Sequence, residues 1–173
     1  MIEPASYSAI EMLRDGRKVE IRAQRPVDRD DLTSAIARTS KDSLYRRFFV
    51  AKREFSEKEV SFFVDVDFVN HVALVAVTKE GGQAAIVGGG RYVVVRPGQA
   101  EVAFVVIDEY QGQGIGAALM RHLAVIARHS GLGELIAEVL SENAAMLKVF
   151  EKSGLKMSAK HEGPVVHVAL TLV

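Results

Sequence analysis

The sequence predicts an α+β fold, a three-layer α/β arrangement with a mixed, mostly antiparallel central sheet and helices on both faces. Three observations predict it. Segments 71–78, 84–95 and 99–107 are apolar or β-branched, and the turns Gly81-Gly82 and Pro97-Gly98 join them, which reads as an antiparallel meander. The last of these segments runs into Gln111-Gly112-Gln113-Gly114-Ile115-Gly116 and then into a helical pattern from 115 to about 128. A further strand at 135–140 follows that helix, and a helical crossover makes it a parallel neighbour of segment 99–107.

The remaining elements follow from local signals. Residues 10–14, Asp15-Gly16 and 18–22 read as a hairpin, with Val19 and Ile21 alternating in its second strand. Pro26 and Asp28 open a helix whose apolar face carries Leu32, Ala35 and Ile36. A short helix at 42–48 follows, and Ser56-x-x-Glu59 is a capping box ahead of Val60, Phe63 and Val64. Gly88-Gly89-Gly90 interrupts a central strand and marks a bulge or a close backbone approach, assigned to the substrate side. In the helix after the glycine loop, Ile115, Leu119, Leu123 and Ile126 share a face, and Gly131 and Gly133 end it. Ser141 or Asn143 caps a last helix with Met146, Leu147 and Phe150 inward and Gly154 as its stop. Strands at 157–161 and 165–172 close the sheet.

The 173 residues read as one domain, 1–173, large enough for a substantial core. Lys and Arg together number 22, as do Asp and Glu, so no global field draws in nucleic acid or acidic lipid, and neither is an expected partner. Arg46-Arg47 with Lys52-Arg53 reads as a solvated helix face. The absence of cysteine excludes disulfides, thiolate catalysis and cysteine-ligated zinc. No signal peptide is visible, and no apolar run approaches the roughly 18 residues a membrane span needs, so a cytoplasmic location is expected. No metal is expected. His122 and His129 lie seven apart on one helix face without an obvious acidic partner, and His71, His161 and His167 sit in strands.

A strand feeding a glycine turn that opens a helix aims unpaired N–H groups at one point, and the helix dipole favours an anion there. A phosphorylated ligand is therefore expected. Gly112, Gly114 and Ala117 also satisfy the dinucleotide pattern G-x-G-x-x-G/A, with Glu134 as the ribose acid 22 positions past Gly112. Against that, Asp108 to Gln111 separate the glycines from the strand. The triphosphate loop G-x-x-x-x-G-K-S/T is absent.

Ala100-Glu101-Val102-Ala103-Phe104-Val105-Val106, a short connector and the loop from Gln111 to Gly116 resemble motif A of the GNAT N-acetyltransferases, whose loop reads Gln/Arg-x-x-Gly-x-Gly/Ala. Ser141-Glu142-Asn143-Ala144-Ala145-Met146 with Phe150 and Gly154-Leu155 resembles their motif B. Ile21-Arg22-x-x-Arg25-Pro26-x-Asp28, Ser43-Leu44-Tyr45-Arg46-Arg47-Phe48-Phe49 and Ala73-Leu74-Val75-Ala76-Val77 narrow the likeness to the acetyltransferase domain of bacterial protein lysine acetyltransferases. Together the resemblance covers about residue 10 to the end.

The resemblance implies an acetyl-CoA-dependent N-acetyltransferase acting in a ternary complex, with an amine acceptor attacking directly. A protein lysine is the favoured acceptor, and a small-molecule amine or a non-catalytic acyl-CoA sensor is the alternative. It implies that Gln111, Gly112, Gln113, Gly114, Ile115 and Gly116 hold the pyrophosphate. A bulge in segment 99–107 would splay that strand from 135–140, and Phe104, Val105 and Val106 would pair with pantetheine in the gap. The N–H of Val106 would act as oxyanion donor. Glu101, a carboxylate in an otherwise apolar strand, is the candidate base, because a lysine near pKa 10.4 is mostly protonated at neutral pH. Asn143 would bond the pantetheine arm beside Phe150, which stands where many members carry a thiolate-protonating tyrosine. Tyr110 is the candidate substitute for that acid. Asp65 and Asp67 are candidates for a negative acceptor rim. Monomer and homodimer are both open.

Overall fold

The computed structural model describes residues 2–38 and 57–172. The expected helix at 42–48, the Ser56 capping box, the 43–49 segment and the basic pairs at 46–47 and 52–53 lie outside the described residues. In chain order the elements are β1 (Ser8–Met12), β2 (Lys18–Ala23), α1 (Arg29–Ala37), α2 (Glu57–Val64), β3 (His71–Glu80), β4 (Gln83–Arg96), β5 (Gln99–Val106), α3 (Ile115–His129), β6 (Glu134–Leu140), α4 (Ala144–Glu151), β7 (Lys156–Glu162) and β8 (Val165–Thr171). Among the described residues eight strands form one sheet in the order β1-β2-β3-β4-β5-β6-β8-β7. All neighbours are antiparallel except β5 and β6, which the α3 crossover makes parallel.

Helix α3 packs on β4, β3, β5 and β2, and α4 lies against it. Its apolar spacing buries Ile115, Leu119, Leu123 and Ile126, each at 1% exposure or less. Burying each such side chain contributes roughly 1.5–3 kcal/mol. Alternation in β5 turns Ala100, Val102 and Phe104 into this core and leaves Glu101, Ala103 and Val105 on the opposite face.

Two expectations need correction. Strand β4 runs continuously through Gly88, Gly89 and Gly90. Gly88 and Gly90 face α3 and the core, not a substrate: a Cβ on Gly90 would lie 2.6 Å from the Phe104 ring and 3.1 Å from Leu123, and one on Gly88 would lie 3.1 Å from Ile115. The bulge expected in β5 is in β4, where the register shifts at Val87 against β3 and at Val95 against β5. An extra residue in β4 twists the pair without shortening β5. What parts β5 from β6 is the brevity of their pairing, which stops after Gln99–Glu134, Ala100–Leu135 and Glu101–Ile136.

Candidate active site

Beyond Glu101 the two strands diverge, and a cleft of about 480 Å³ opens between them toward the N-terminus of α3. Ile107 N–H bonds the Val87 carbonyl at 3.0 Å, so it points toward β4. Alternation along an antiparallel strand then turns the N–H and C=O groups of Val102, Phe104 and Val106 toward the gap that β6 vacates. An extended chain of amides inserted there would complete the ladder.

The gap ends at the glycine loop. Gly112 and Gly114 adopt φ of 82° and 96°, a left-handed conformation that a side chain would strain. Gly114 is the N-cap of α3 and supplies no side-chain cap, and the first turn holds no acidic residue. The N–H groups of Ile115, Gly116 and Ala117 are thus left for an external anion. The loop is anchored from the other side. The Tyr110 hydroxyl donates to Glu80 at 2.6 Å, and the Arg38 guanidinium donates to both Glu80 oxygens at 2.8 Å. Arg38, and then the Tyr110 hydroxyl, hold the Glu80 carboxyl down to about 2. Burial, and then Glu80, push the Tyr110 phenol above its usual value. Tyr110 is therefore committed to the scaffold and makes a poor acid for a leaving thiolate.

The cleft brings together Glu101, Phe104, Val105, Val106, Gln111, Gly112, Gly114, Ile115, Gly116, Asn143 and Phe150. Gln113 is the exception. It does not line the cleft, and its carbonyl accepts from Arg14 N–H at 3.3 Å. Gln111 folds back so that its Nε2 donates to the Val106 carbonyl at 3.0 Å. Asn143 caps α4, its Oδ1 accepting from Met146 N–H at 3.3 Å. Phe150 is 1% exposed, with its ring 6.1 Å from that of Phe104. Val106 sits at the loop end of the gap, about 17 Å from Glu101 at a rise of 3.3 Å per residue. Phe104 lies about 10 Å from Glu101 by the same measure, a shorter span for a base acting through water.

Other candidates resolve into structural roles. Asp67 Oδ1 accepts from the N–H groups of Val69, Asn70 and His71, each at 2.9 Å, and so builds the turn into β3. His122 does have an acidic partner, because Glu11 Oε2 lies 3.0 Å from its Nε2, with the Tyr7 hydroxyl on Nδ1. Glu134, the ribose acid of the dinucleotide reading, accepts from Gln99 at the closed end of the strand pair, away from the glycine loop. That placement removes the dinucleotide reading. The sequence reading missed Arg14, Glu138, Lys148 and Lys152, all of which line the cleft. The basic pair at i, i+4 over the last turn and C-cap of α4 was a visible signal, while Arg14 had none.

Comparison with known proteins agrees with this geometry. The profile of the Acetyltransferase (GNAT) family matches residues 39–155. Acetyltransferase PA5475 of Pseudomonas aeruginosa is 36% identical over 138 residues, covering 79% of this chain and 74% of that protein. Acetyltransferase Pat of Mycolicibacterium smegmatis is 34% identical over 146 residues, covering 82% of this chain, which spans 42% of that protein's length. The crystal structure of the GNAT domain of S. lividans PAT superposes with a TM-score of 0.85 at 34% identity, covering 95% of this chain and 96% of that one. On this combined evidence, the chain belongs to the acetyltransferase (GNAT) family.

Proposed function

We propose that the protein transfers the acetyl group of acetyl-CoA to the ε-amine of lysine in a protein substrate, by direct attack within a ternary complex. The observation that carries this reading is one cleft with three compatible parts. An uncapped helix N-terminus suits a pyrophosphate, a run of backbone without a neighbouring strand suits the amides of pantetheine, and Glu101 stands where the strands part. When bound, acetyl-CoA supplies an activated acyl carbonyl. The chain's own groups do the rest. The first-turn N–H groups hold the phosphates, the inward amides of Val102, Phe104 and Val106 align the arm, and the Phe104 N–H serves as the oxyanion donor for a base acting through water at Glu101. Glu101 takes up the proton the lysine must lose, directly or through one water. With Phe150 in place of a hydroxyl-bearing side chain, the thiol leaves as thiolate, which its pKa near 8.5 permits.

The likeness to bacterial protein lysine acetyltransferases and the relatives named Pat support a protein acceptor. So does the exposure of Glu101 on the face away from α3, where a long lysine side chain can reach it. The test is coenzyme A release, read with a thiol reagent, across protein and small-amine acceptors, with mass spectrometry to locate acetyl-lysine. Glu101→Gln should lower kcat by about 10²–10⁴ while leaving coenzyme A affinity within about twofold. Full activity in Glu101→Gln would remove the base assignment. Turnover of small amines alone would move the acceptor, and tight coenzyme A binding without any amine-dependent release would make the protein a sensor.

A further inference from the structure

The cleft carries side chains of both charges. Its carboxylates, Glu101 and Glu138, lie on β5 and β6. Its cations, Arg14, Lys148 and Lys152, come from two separate segments of the chain. Arg14 comes from the turn between β1 and β2, where its Nη1 donates to the Gly112 carbonyl at 3.1 Å and its N–H donates to the Gln113 carbonyl. Lys148 lies in α4 and Lys152 is its C-cap, and Val149 of that helix stands 3.7 Å from where a Cβ on Gly116 would be. Arg14 therefore meets the loop at Gly112, while α4 packs beside it at Gly116 through Val149. All three side chains are exposed and have no carboxylate partner among the described residues.

Three cations exceed what a pyrophosphate already held by helix N–H groups requires. The Gly112 and Gln113 carbonyls that Arg14 engages are acceptors that would repel an anion if they turned inward. Holding them outward leaves the loop N–H groups facing the ligand. The guanidinium that does so also carries a positive charge at the cleft wall, where a phosphomonoester of roughly −1.5 to −2 charge would be attracted.

We propose that Arg14 is a specificity-determining residue, reading the 3′-phosphate charge at the nucleotide end of the ligand so that the cleft selects coenzyme A over dephospho-coenzyme A, with Lys148 and Lys152 as the opposite wall. This rests on the acetyl-CoA reading of the same site. The test is calorimetric titration of the full chain with coenzyme A and with dephospho-coenzyme A at low and high salt, with thermal unfolding of each variant as a fold control. The wild type should bind coenzyme A at least about tenfold more tightly at low salt, and the gap should shrink at 1 M salt, where the screening length is about 3 Å. Arg14→Gln should weaken coenzyme A about tenfold and dephospho-coenzyme A less than about threefold, while Arg14→Lys keeps most of the preference. The double variant Lys148→Gln/Lys152→Gln should also reduce the preference, and it leaves the hairpin contact intact. Equal losses for both ligands in Arg14→Gln would make Arg14 only a brace of the loop and overturn the proposal, as would a wild type that binds both equally. A wild type that binds neither would overturn the acetyl-CoA reading as well, so the two failures are distinct.

Discussion

Gly90→Ala tests whether the glycines of β4 serve the packing of the cleft wall. An alanine Cβ at Gly90 would lie 2.6 Å and 2.9 Å from two atoms of the Phe104 ring and 3.1 Å from Leu123. Carbon atoms pack best at about 3.5–4.0 Å, so the ring must retreat by roughly 1 Å. It has little room, being 3% exposed with the Phe150 ring 6.1 Å away between centroids. Overpacking of this kind costs about 1–3 kcal/mol, or a fall in Tm of about 2–12 °C for a chain of this size. Gly89→Ala is the internal control. Its nearest neighbour would be the Leu74 carbonyl at 3.5 Å, an ordinary contact, and its φ is not left-handed. Replacing a strand glycine without a clash should be neutral or stabilise by up to about 1 kcal/mol. Urea unfolding of both variants gives the difference directly, and titration with coenzyme A shows whether the displaced ring narrows the cleft that Phe104 lines. Adding Phe104→Leu to Gly90→Ala should recover part of the loss, which a double-mutant cycle measures. Equal stability of the Gly90 and Gly89 variants would refute the reasoning.

Two further predictions concern the scaffold around the site. Arg22 grips Asp28 through two bonds of 2.9 Å, with the Asp28 side chain 3% exposed and also accepting from Arg25 N–H at 2.7 Å, so Asp28→Ala should cost about 3–5 kcal/mol in urea unfolding. A loss below about 1 kcal/mol would contradict that. Arg38 and Tyr110 depress Glu80 to about 2 from a normal value near 4.5, so its stabilising contribution is complete above pH 4.5 and is lost as pH falls toward 2. With the side chain one-third exposed, that contribution is about 1 kcal/mol after screening. Glu80→Gln should therefore be less stable than wild type at pH 7 by about that amount, with the difference shrinking toward pH 3. A constant difference would refute the linkage.

The elements were legible where the signal is local. Spacing at Ile115, Leu119, Leu123 and Ile126 predicted the buried face of α3, and the run from Gln111 to Gly116 predicted a glycine turn opening it, which the structure shows as left-handed at Gly112 and Gly114. Contacts across long sequence separations were not legible. Arg14 meets Gly112 over 98 residues, and Glu11 meets His122 over 111. No pattern within either segment encodes its partner. Glu134 matched a dinucleotide spacing, yet strand pairing carries it to the closed end of the β5–β6 pair.

By itself the sequence determined the order of elements among the described residues, the glycine turn that opens α3 and a carboxylate at Glu101, because periodicity and backbone conformational preference act over a few residues. Only the tertiary structure decided that β5 and β6 part after three residue pairs, that the inward amides of Val102, Phe104 and Val106 face the gap, and that Tyr110 is tied to Glu80. It also decided that Gln113 turns away while Arg14 and two lysines line the cleft. Each of these depends on which distant segments the sheet brings side by side, and that is set by burying one shared core rather than by any local run of residues.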